Sequence, residues 1–190
     1  MVPVVAGSSP VRHPRSAFKF RGSRADTPDM TLPAAEALQR ETTIAGVLKT
    51  TCVELTNALE AEACNLSRVI GQLLVDLVEH SRDGRRIQLG RAYLVPDYPV
   101  TEEVVESGEP RTVWLYDPGV DPGEAALLRE LDFDALLMLP LQLDERCWGL
   151  LEVYRMGTRV FSSEDIALGI EIAAHAGRAV ENLQRRAAAA

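Results

Sequence analysis

No stretch of the 190-residue sequence approaches the roughly 18 consecutive apolar residues that a helix needs to cross a bilayer. The N-terminal segment MVPVVAGSSPVRHPRS has only a short apolar run, and no charged residue precedes it. A secretory signal has the opposite pattern, with a basic segment ahead of a longer apolar one. The chain is therefore predicted to have no membrane association and no secretory signal.

Cysteine is scarce, and its spacing excludes a disulfide framework. The cysteines are odd in number, far apart and without a CxxC pair; they are Cys52, Cys64 and Cys147. This pattern is typical of buried free thiols in a reducing compartment rather than of a structural zinc site. It predicts a cytoplasmic protein.

Histidine is too rare for most metal or acid–base chemistry. None of His13, His80 and His175 has another histidine, a cysteine or a carboxylate at a metal-ligand spacing. No metal site is predicted.

Recognisable catalytic motifs are missing as well. The sequence has no GxSxG elbow, P-loop or GxGxxG. Its carboxylate pairs fall at turns or helix starts, where turn preference and the helix dipole account for them; they are Glu102–Glu103, Asp144–Glu145 and Glu164–Asp165. No enzymatic activity is predicted, since the only remaining nucleophiles are cysteines that suit a packed core.

Charge is divided unevenly along the chain. Residues 1–30 contain five basic and two acidic residues, whereas residues 31–190 contain 15 basic and 26 acidic residues. We predict a disordered basic tail over residues 1–33, for which a start of translation at Met30 is the alternative explanation. A single folded domain is predicted over residues 34–187. Because that domain is strongly acidic, no nucleic-acid binding is predicted.

Two long segments have helical periodicity. One continuous helix is predicted from Ala34 to about Ala61, with an a/d-like apolar stripe over residues 38–59. The final helix is predicted to begin with a Ser162–Asp165 capping pattern and has a second stripe over residues 166–183. The stripes predict that the terminal helices pack together, and we predict a homodimer through them. Whether they pack within one chain or between two is left open.

Strands and short helices alternate between these segments. Turn signals separate CNLSRVI from QLLVDLVEHS and LLMLPLQL from CWGLLEVYR, so both pairs are predicted hairpins. Short helices are predicted after N-caps at Thr101 and Asp121, the first ending at Gly108. The element order predicts an α+β fold: a mostly antiparallel sheet of five to six strands with helices on both faces.

These segments, in this order, resemble the GAF domain family. The most specific part is DFDALLMLPLQLDERCWGLLEVYR followed by RVFSSEDIALGIEIAAHAGRAVENLQR, and DYPVTEEVVESGEPRTVWLYDP is also similar. The resemblance covers residues 36–186. It implies a sensory module that binds a small molecule on one sheet face, under the two short helices.

The resemblance implies no particular cofactor. The Asn-Lys-Phe-Asp-Glu constellation of cyclic-nucleotide-binding members cannot be assembled with Lys19 and Lys49 alone, and the Cys-His pair of bilin-binding members is missing. Haem-binding members use a histidine, for which only His80 could be tested, although a solvated loop histidine is the preferred interpretation. The cofactor is therefore unknown.

Six residues are predicted to line the ligand pocket from their places in the family's segments; they are Arg68, Tyr93, Tyr98, Trp114, Met138 and Trp148. Aromatic walls with one arginine would suit a small planar or anionic metabolite. The competing interpretation is that the aromatic side chains fill the space and Arg68 pairs with Asp76 or Glu152.

Together these features predict a non-enzymatic sensory module of a bacterial cytoplasm, which binds a small molecule and signals as a homodimer. Because the chain ends in RRAAAA after the final helix, a separate output protein is the expected partner. Two alternatives remain open. One is a ligand-free dimerisation scaffold, and the other is a cysteine-dependent methionine sulfoxide reductase that would use Cys64 and Cys147.

Overall fold

A single antiparallel sheet organises the computed structural model, which describes residues 31–87, 90–144 and 146–189. In chain order the elements are α1 (Thr31–Arg40), α2 (Ile44–Ala58), β1 (Ala63–Ile70), β2 (Leu73–Ser81), β3 (Ala92–Leu94), α3 (Pro99–Ser107), β4 (Arg111–Trp114), α4 (Pro122–Leu131), β5 (Ala135–Leu143), β6 (Arg146–Arg155) and α5 (Ser163–Ala188). A short 3-10 turn, Val95–Asp97, connects β3 to α3.

The strand order is β3-β2-β1-β6-β5-β4, and each described pair of neighbours is antiparallel. The predicted α+β class is confirmed. The hairpin of β5 and β6 places β6 at the centre of the sheet beside β1. Apart from residues 31–33, the predicted tail lies outside the described residues.

The N-terminal helix was predicted as one continuous element, and this was wrong. The structure has two helices, because Thr43 adopts an extended backbone and its Oγ1 accepts a hydrogen bond from the Gly46 N–H at 3.0 Å. A threonine at an N-cap satisfies a free amide and so begins a new helix. A Cβ at Gly46 would lie 2.2 Å from Oε2 of Glu41, so a larger residue there would require the Glu41 side chain to move.

The short helices follow their predicted caps with one exception. Asp121 caps α4 by accepting hydrogen bonds from the N–H groups of Gly123 and Glu124, and Gly108 ends α3 in the left-handed conformation. The N-cap of α3, however, is Tyr98 rather than Thr101. Thr101 is instead buried inside the helix, where it serves the site described below.

One face of the sheet is covered by α1, α2 and α5, which also contact one another. Most residues of the two predicted stripes are buried inside this layer of the same chain; they include Leu38, Leu48, Cys52, Leu55, Leu59, Ile172, Ala173, Ala176 and Val180. The stripes therefore pack within the chain. Helix α5 approaches β5 closely, since a Cβ at Gly177 would lie 2.6 Å from the backbone oxygen of Gln142.

Replacing Gly177 with alanine is expected to destabilise the protein by about 1–3 kcal/mol, because the added methyl forces α5 away from β5. Alanine also stabilises a helix relative to glycine by about 1 kcal/mol. A net loss of stability would therefore show that the steric clash outweighs the gain in helix propensity. Ala174→Gly, at an exposed position of the same helix, is the control. Its free energy of unfolding should fall by only ~1 kcal/mol, the difference in helix propensity. Denaturant unfolding measures both, and a more stable Gly177→Ala would show that the approach is not tight.

The opposite face of the sheet is covered by α3, α4 and the turn before α3. Its buried apolar residues form a second cluster; they are Ala63, Leu74, Val95, Val104, Val113, Leu128, Phe133, Leu136, Met138, Leu150 and Tyr154. Across the described residues, no helix is both long and apolar enough to span a membrane.

Candidate ligand-binding site

Strand alternation directs a group of polar side chains to the face under α3 and α4. On β1, Cys64 and Leu66 enter the core beneath the terminal helices, while Asn65 and Ser67 point the other way. Asn65 pairs in register with Glu152 on β6, and Ser67 pairs with Asp76 on β2. Each of these four polar side chains is buried.

Hydrogen bonds join these side chains and Tyr93 into one network. The amide Nδ2 of Asn65 lies 2.9 Å from Oδ1 of Asp76, 3.2 Å from Oγ of Ser67 and 3.3 Å from Oε2 of Glu152. Ser67 donates to the same Asp76 oxygen at 2.7 Å, and the Tyr93 hydroxyl donates to Glu152 Oε2 at 3.0 Å. We call these five residues the buried polar network.

A second polar contact lies between α3 and α4 on the same face. The N–H and hydroxyl of Thr101 both donate to Oε1 of Glu124, at 3.1 and 2.9 Å. The same hydroxyl lies 3.5 Å from the sulfur of Met138. Glu124 is fully buried, so the structure places a third carboxyl group on this face beside Asp76 and Glu152.

Several polar atoms on this face are buried without a partner in the described part of the chain. They are Oδ1 of Asn65, Oδ2 of Asp76, Oε2 of Glu124 and the hydroxyl of Tyr154. A buried polar group left unpaired costs about 1–3 kcal/mol. This concentration of unpaired atoms on one face marks it as the candidate site.

Burial dominates the electrostatics of the three carboxyl groups. Burial, with the nearby charges of Asp76 and Glu124, raises the pKa of Glu152 to about 8, although the hydrogen bonds from Tyr93 and Asn65 lower it. Burial also raises the pKa of Asp76 and of Glu124. At neutral pH Glu152 therefore holds a proton that a bound cation would displace.

Three of the six predicted ligand-contacting residues lie on this face. The ring of Tyr93 meets that of Tyr98 edge to face, with centroids 5.5 Å apart. Met138 is fully buried beside Thr101. The structure thus brings Tyr93, Tyr98 and Met138 to the network, and their role in binding stays a prediction.

The predicted placement of the two tryptophans was wrong. Both pack against the core under the terminal helices, on the other side of the sheet. Val113 on β4 belongs to the cluster under α3 and α4. Because side chains alternate along a strand, the next residue, Trp114, points away from the candidate site. Trp148 lies next to an irregularity in the β5–β6 pairing between Leu141 and Gln142, which shifts the register there.

Arg68 is also absent from the described network. Its guanidinium lies 4.4 Å from the centre of the Trp148 ring and donates to the backbone oxygens of Val69 and Trp148. The alternative pairing with Asp76 or Glu152 is wrong as well, because those carboxylates bind Asn65, Ser67 and Tyr93. Arg68 and Trp148 instead line a separate cleft of about 640 Å³ near the β5–β6 turn.

Sequence reasoning missed most of the network. It did not assign Asn65, Ser67 or Glu124 to a site and considered Asp76 and Glu152 only as partners of Arg68. A usable signal was present, because Glu152 interrupts the apolar run GLLEVY and Asn65 and Ser67 occupy alternate positions of a buried strand. Polar residues at inward strand positions need partners, which singles them out.

The cysteines do not form the predicted pair. Cys64 pairs with Val153 on β6, so Cys147 lies six residues, or about 20 Å, farther along that strand. A disulfide requires Cα atoms within about 7 Å. The Cys64 thiol instead donates to the backbone oxygen of Asn65 at 3.7 Å, and burial raises the pKa of this thiol. Among the described residues, no group of histidine, cysteine and carboxylate side chains could hold a metal ion.

His80, the one position considered for haem, lies within β2 opposite Cys64 rather than in a loop. Burial lowers its pKa.

Comparison with known proteins agrees with this architecture. A family model described as the GAF domain matches residues 43–180. A sequence search of curated proteins found no match.

Among solved structures, the chain is similar to the chromophore-binding domain of an unusual bacteriophytochrome from R. palustris, with a TM-score of 0.72 and 13% identity. That match covers 83% of this chain but only 62% of the bacteriophytochrome chain. A far-red-absorbing dark-state structure with bound biliverdin matches with a TM-score of 0.71 and 13% identity, covering 82% of this chain and 99% of that one.

The cyanobacteriochrome receptor PixJ matches with a TM-score of 0.64 and 18% identity, over 74% of this chain and 96% of its own. At these identities the structural likenesses concern the fold alone. The family match, which spans most of the chain and agrees with the sheet order and helix placement, shows that this protein belongs to the GAF domain family.

Proposed function

We propose that this GAF domain is a non-enzymatic sensory module that binds a small molecule at the buried polar network, under α3 and α4. The observation that carries the proposal is the set of unpaired atoms on Asn65, Asp76, Glu124 and Tyr154. An apolar core of the same shape would be more stable than partly satisfied polar groups. A ligand that completes their hydrogen bonds would remove this penalty.

The side chains around the network support binding rather than catalysis. The hydroxyl of Ser67 donates to Asp76, and its described hydrogen bonds include no histidine or lysine that could activate it as a nucleophile. Cys147 is far from the network, and burial raises the pKa of its thiol to about 11. These features favour reversible recognition, in a cytoplasm where Cys52 and Cys64 remain free thiols.

A covalently attached bilin is not proposed, although biliverdin is bound in one of the similar structures. Cys52 and Cys64 are buried under the terminal helices, and Cys147 lines the cleft with Arg68. Of the described cysteines, none therefore lies on the face of the network. The residues present do not fit such a chromophore.

We also propose that the module works as a homodimer through the terminal helices and passes its signal to a separate output protein. The stripes over residues 38–59 and 166–183 are largely used inside the chain, so the surface available for a dimer is their outer side. Ile170 on α5 is 43% exposed there, and Leu32 on α1 is 58% exposed. Exposed apolar side chains of this size favour association when they adjoin.

Native mass spectrometry of gently purified protein, repeated under denaturing conditions, tests both proposals. We expect a dimer with an additional mass that is released on denaturation. The Asn65→Leu variant should lose that mass, whereas Asn57→Leu, at an exposed position of α2, should keep it.

Two results would count against these proposals. A clean dimer with no retained mass would favour the ligand-free scaffold. A monomer at all concentrations would contradict the dimer. The ligand proposal would then be tested by the retained mass alone.

A further inference from the structure

The chemistry of the unpaired atoms narrows the class of ligand. Three of them are acceptors: the amide oxygen Oδ1 of Asn65, and one carboxyl oxygen each of Asp76 and Glu124. Acceptors of this kind are satisfied by a ligand that brings N–H or O–H donors. The fourth, the Tyr154 hydroxyl, can donate or accept.

The carboxyl groups around these atoms all carry a negative charge when they are ionised. Asp76 on β2, Glu124 on α4 and Glu152 on β6 each raise the pKa of another member of the group. Tyr93 on β3 and Tyr98 at the start of α3 face the same charges, and both have raised pKa values, chiefly through burial. Glu79 adds a further negative charge near Asp76.

The cation that acts on Asp76 does so from the surface. Arg91 lowers the pKa of Asp76 slightly, but its guanidinium is exposed and lies 3.0 Å from Glu130. Within the described residues, the hydrogen bonds of the network include no arginine, lysine or histidine side chain. An anionic ligand would therefore meet uncompensated repulsion in a buried site.

Flat aromatic surfaces adjoin the polar atoms. Phe133 stacks on Tyr154 with ring centres 4.9 Å apart and planes 22° apart, and the Arg85 guanidinium lies 4.3 Å from the centre of the Phe133 ring. The Tyr93–Tyr98 pair provides a second aromatic wall. Aromatic rings attract cations as well as planar groups.

We infer that the ligand is a planar organic cation with several N–H donors, such as an amidine, a guanidine or an aminated heterocycle. This inference rests on the proposed function and specifies its ligand. The cation would donate to Asn65 Oδ1 and to the free carboxyl oxygens of Asp76 and Glu124. Its charge would replace the proton held by Glu152.

Calorimetric titration of the full chain with benzamidine, benzamide and benzoate tests the inference, since these probes share a ring and differ in charge. The corresponding naphthalene amidine, amide and carboxylate test whether the site binds a larger ring. We expect an amidine to bind at least tenfold more tightly than its amide, and the carboxylate not to bind. Amidine affinity should rise about tenfold between pH 6 and pH 8.5, as Glu152 loses its proton.

Glu152→Gln keeps the shape of the site and removes its charge. It should weaken amidine binding at pH 8.5 about tenfold, abolish the pH dependence of that binding and reduce the preference for amidine over amide. Asp76→Asn provides a second variant should the first fold poorly, and Glu106→Gln, an exposed change on α3, is the control that should have no effect.

The inference is overturned if an amide or carboxylate binds as tightly as its amidine, or if neither amidine binds. These results are separable from failure of the proposed function. A retained neutral or anionic compound that is lost in Asn65→Leu would preserve the site and refute its charge preference.

Discussion

Replacing Arg155 with methionine is expected to lower the free energy of unfolding by about 3–5 kcal/mol, the usual result of breaking a buried ion pair on one side. Arg155 is only 2% exposed and lies 3.1 Å from Asp165. It also donates to the backbone oxygens of Leu59 and Val160. One side chain thus joins the end of α2, the last strand and the capping box of α5. Methionine keeps the apolar stem but leaves these acceptors without a donor.

Arg159→Met is the matched control. Arg159 is exposed, and it pairs with Glu60 at the surface and only distantly, at 4.0 Å, with Asp165, so its loss should change stability much less than the loss of Arg155. Urea unfolding with constant m-values measures both variants. If both variants lowered the free energy of unfolding by the same small amount, Arg155 would not be holding these elements together.

Raising the pH from 6 to 9 is expected to destabilise the protein by about 2–3 kcal/mol, mainly through Glu152. Burial raises the pKa of this group to about 8, from an ordinary value of 4.5. Between those values the folded state holds a proton that the unfolded state releases. Stability therefore falls as the pH rises through this window, and it levels off above pH 8.

Glu152→Gln should remove most of this pH dependence and make the protein more stable than the wild type at pH 9. The glutamine oxygen can still accept from Asn65 and Tyr93, so the network keeps these contacts. Glu106→Gln should leave the pH dependence unchanged. A wild-type stability that is constant from pH 6 to 9 would mean that Glu152 is ionised without difficulty in the folded protein.

The fold could be predicted because its signals are local. Turn residues at Gly71 and around Gly84 limit the first hairpin, and the Ser162–Asp165 capping box begins α5. The break between α1 and α2 was missed because it depends on one threonine side chain bonding to Gly46. The spacing of apolar residues does not indicate where a side-chain hydrogen bond ends one helix and begins the next.

The candidate site was predictable only in part, because it depends on which face each strand residue occupies. Tyr93, Tyr98 and Met138 lie on the face of the buried polar network, and their role in ligand binding stays a prediction. Trp148 lies away from its expected place because the β5–β6 pairing is irregular there. Thr101 is not the N-cap of α3 because that helix starts at Pro99. Asp76 lies on the strand next to Asn65 in sequence, but Glu152 lies 87 residues away, so no local pattern indicates the complete network.

The most direct test of the central claim is to map where a small molecule binds, by amide and side-chain NMR of the full chain titrated with an amidine. The account predicts the largest shift changes at the Asn65 side-chain amide and at the backbone amides of Ser67, Thr101 and Glu124. Changes confined to Gly71, Trp148 and Gln184, around the cleft that contains Arg68, would place binding on the opposite side of the sheet and contradict it.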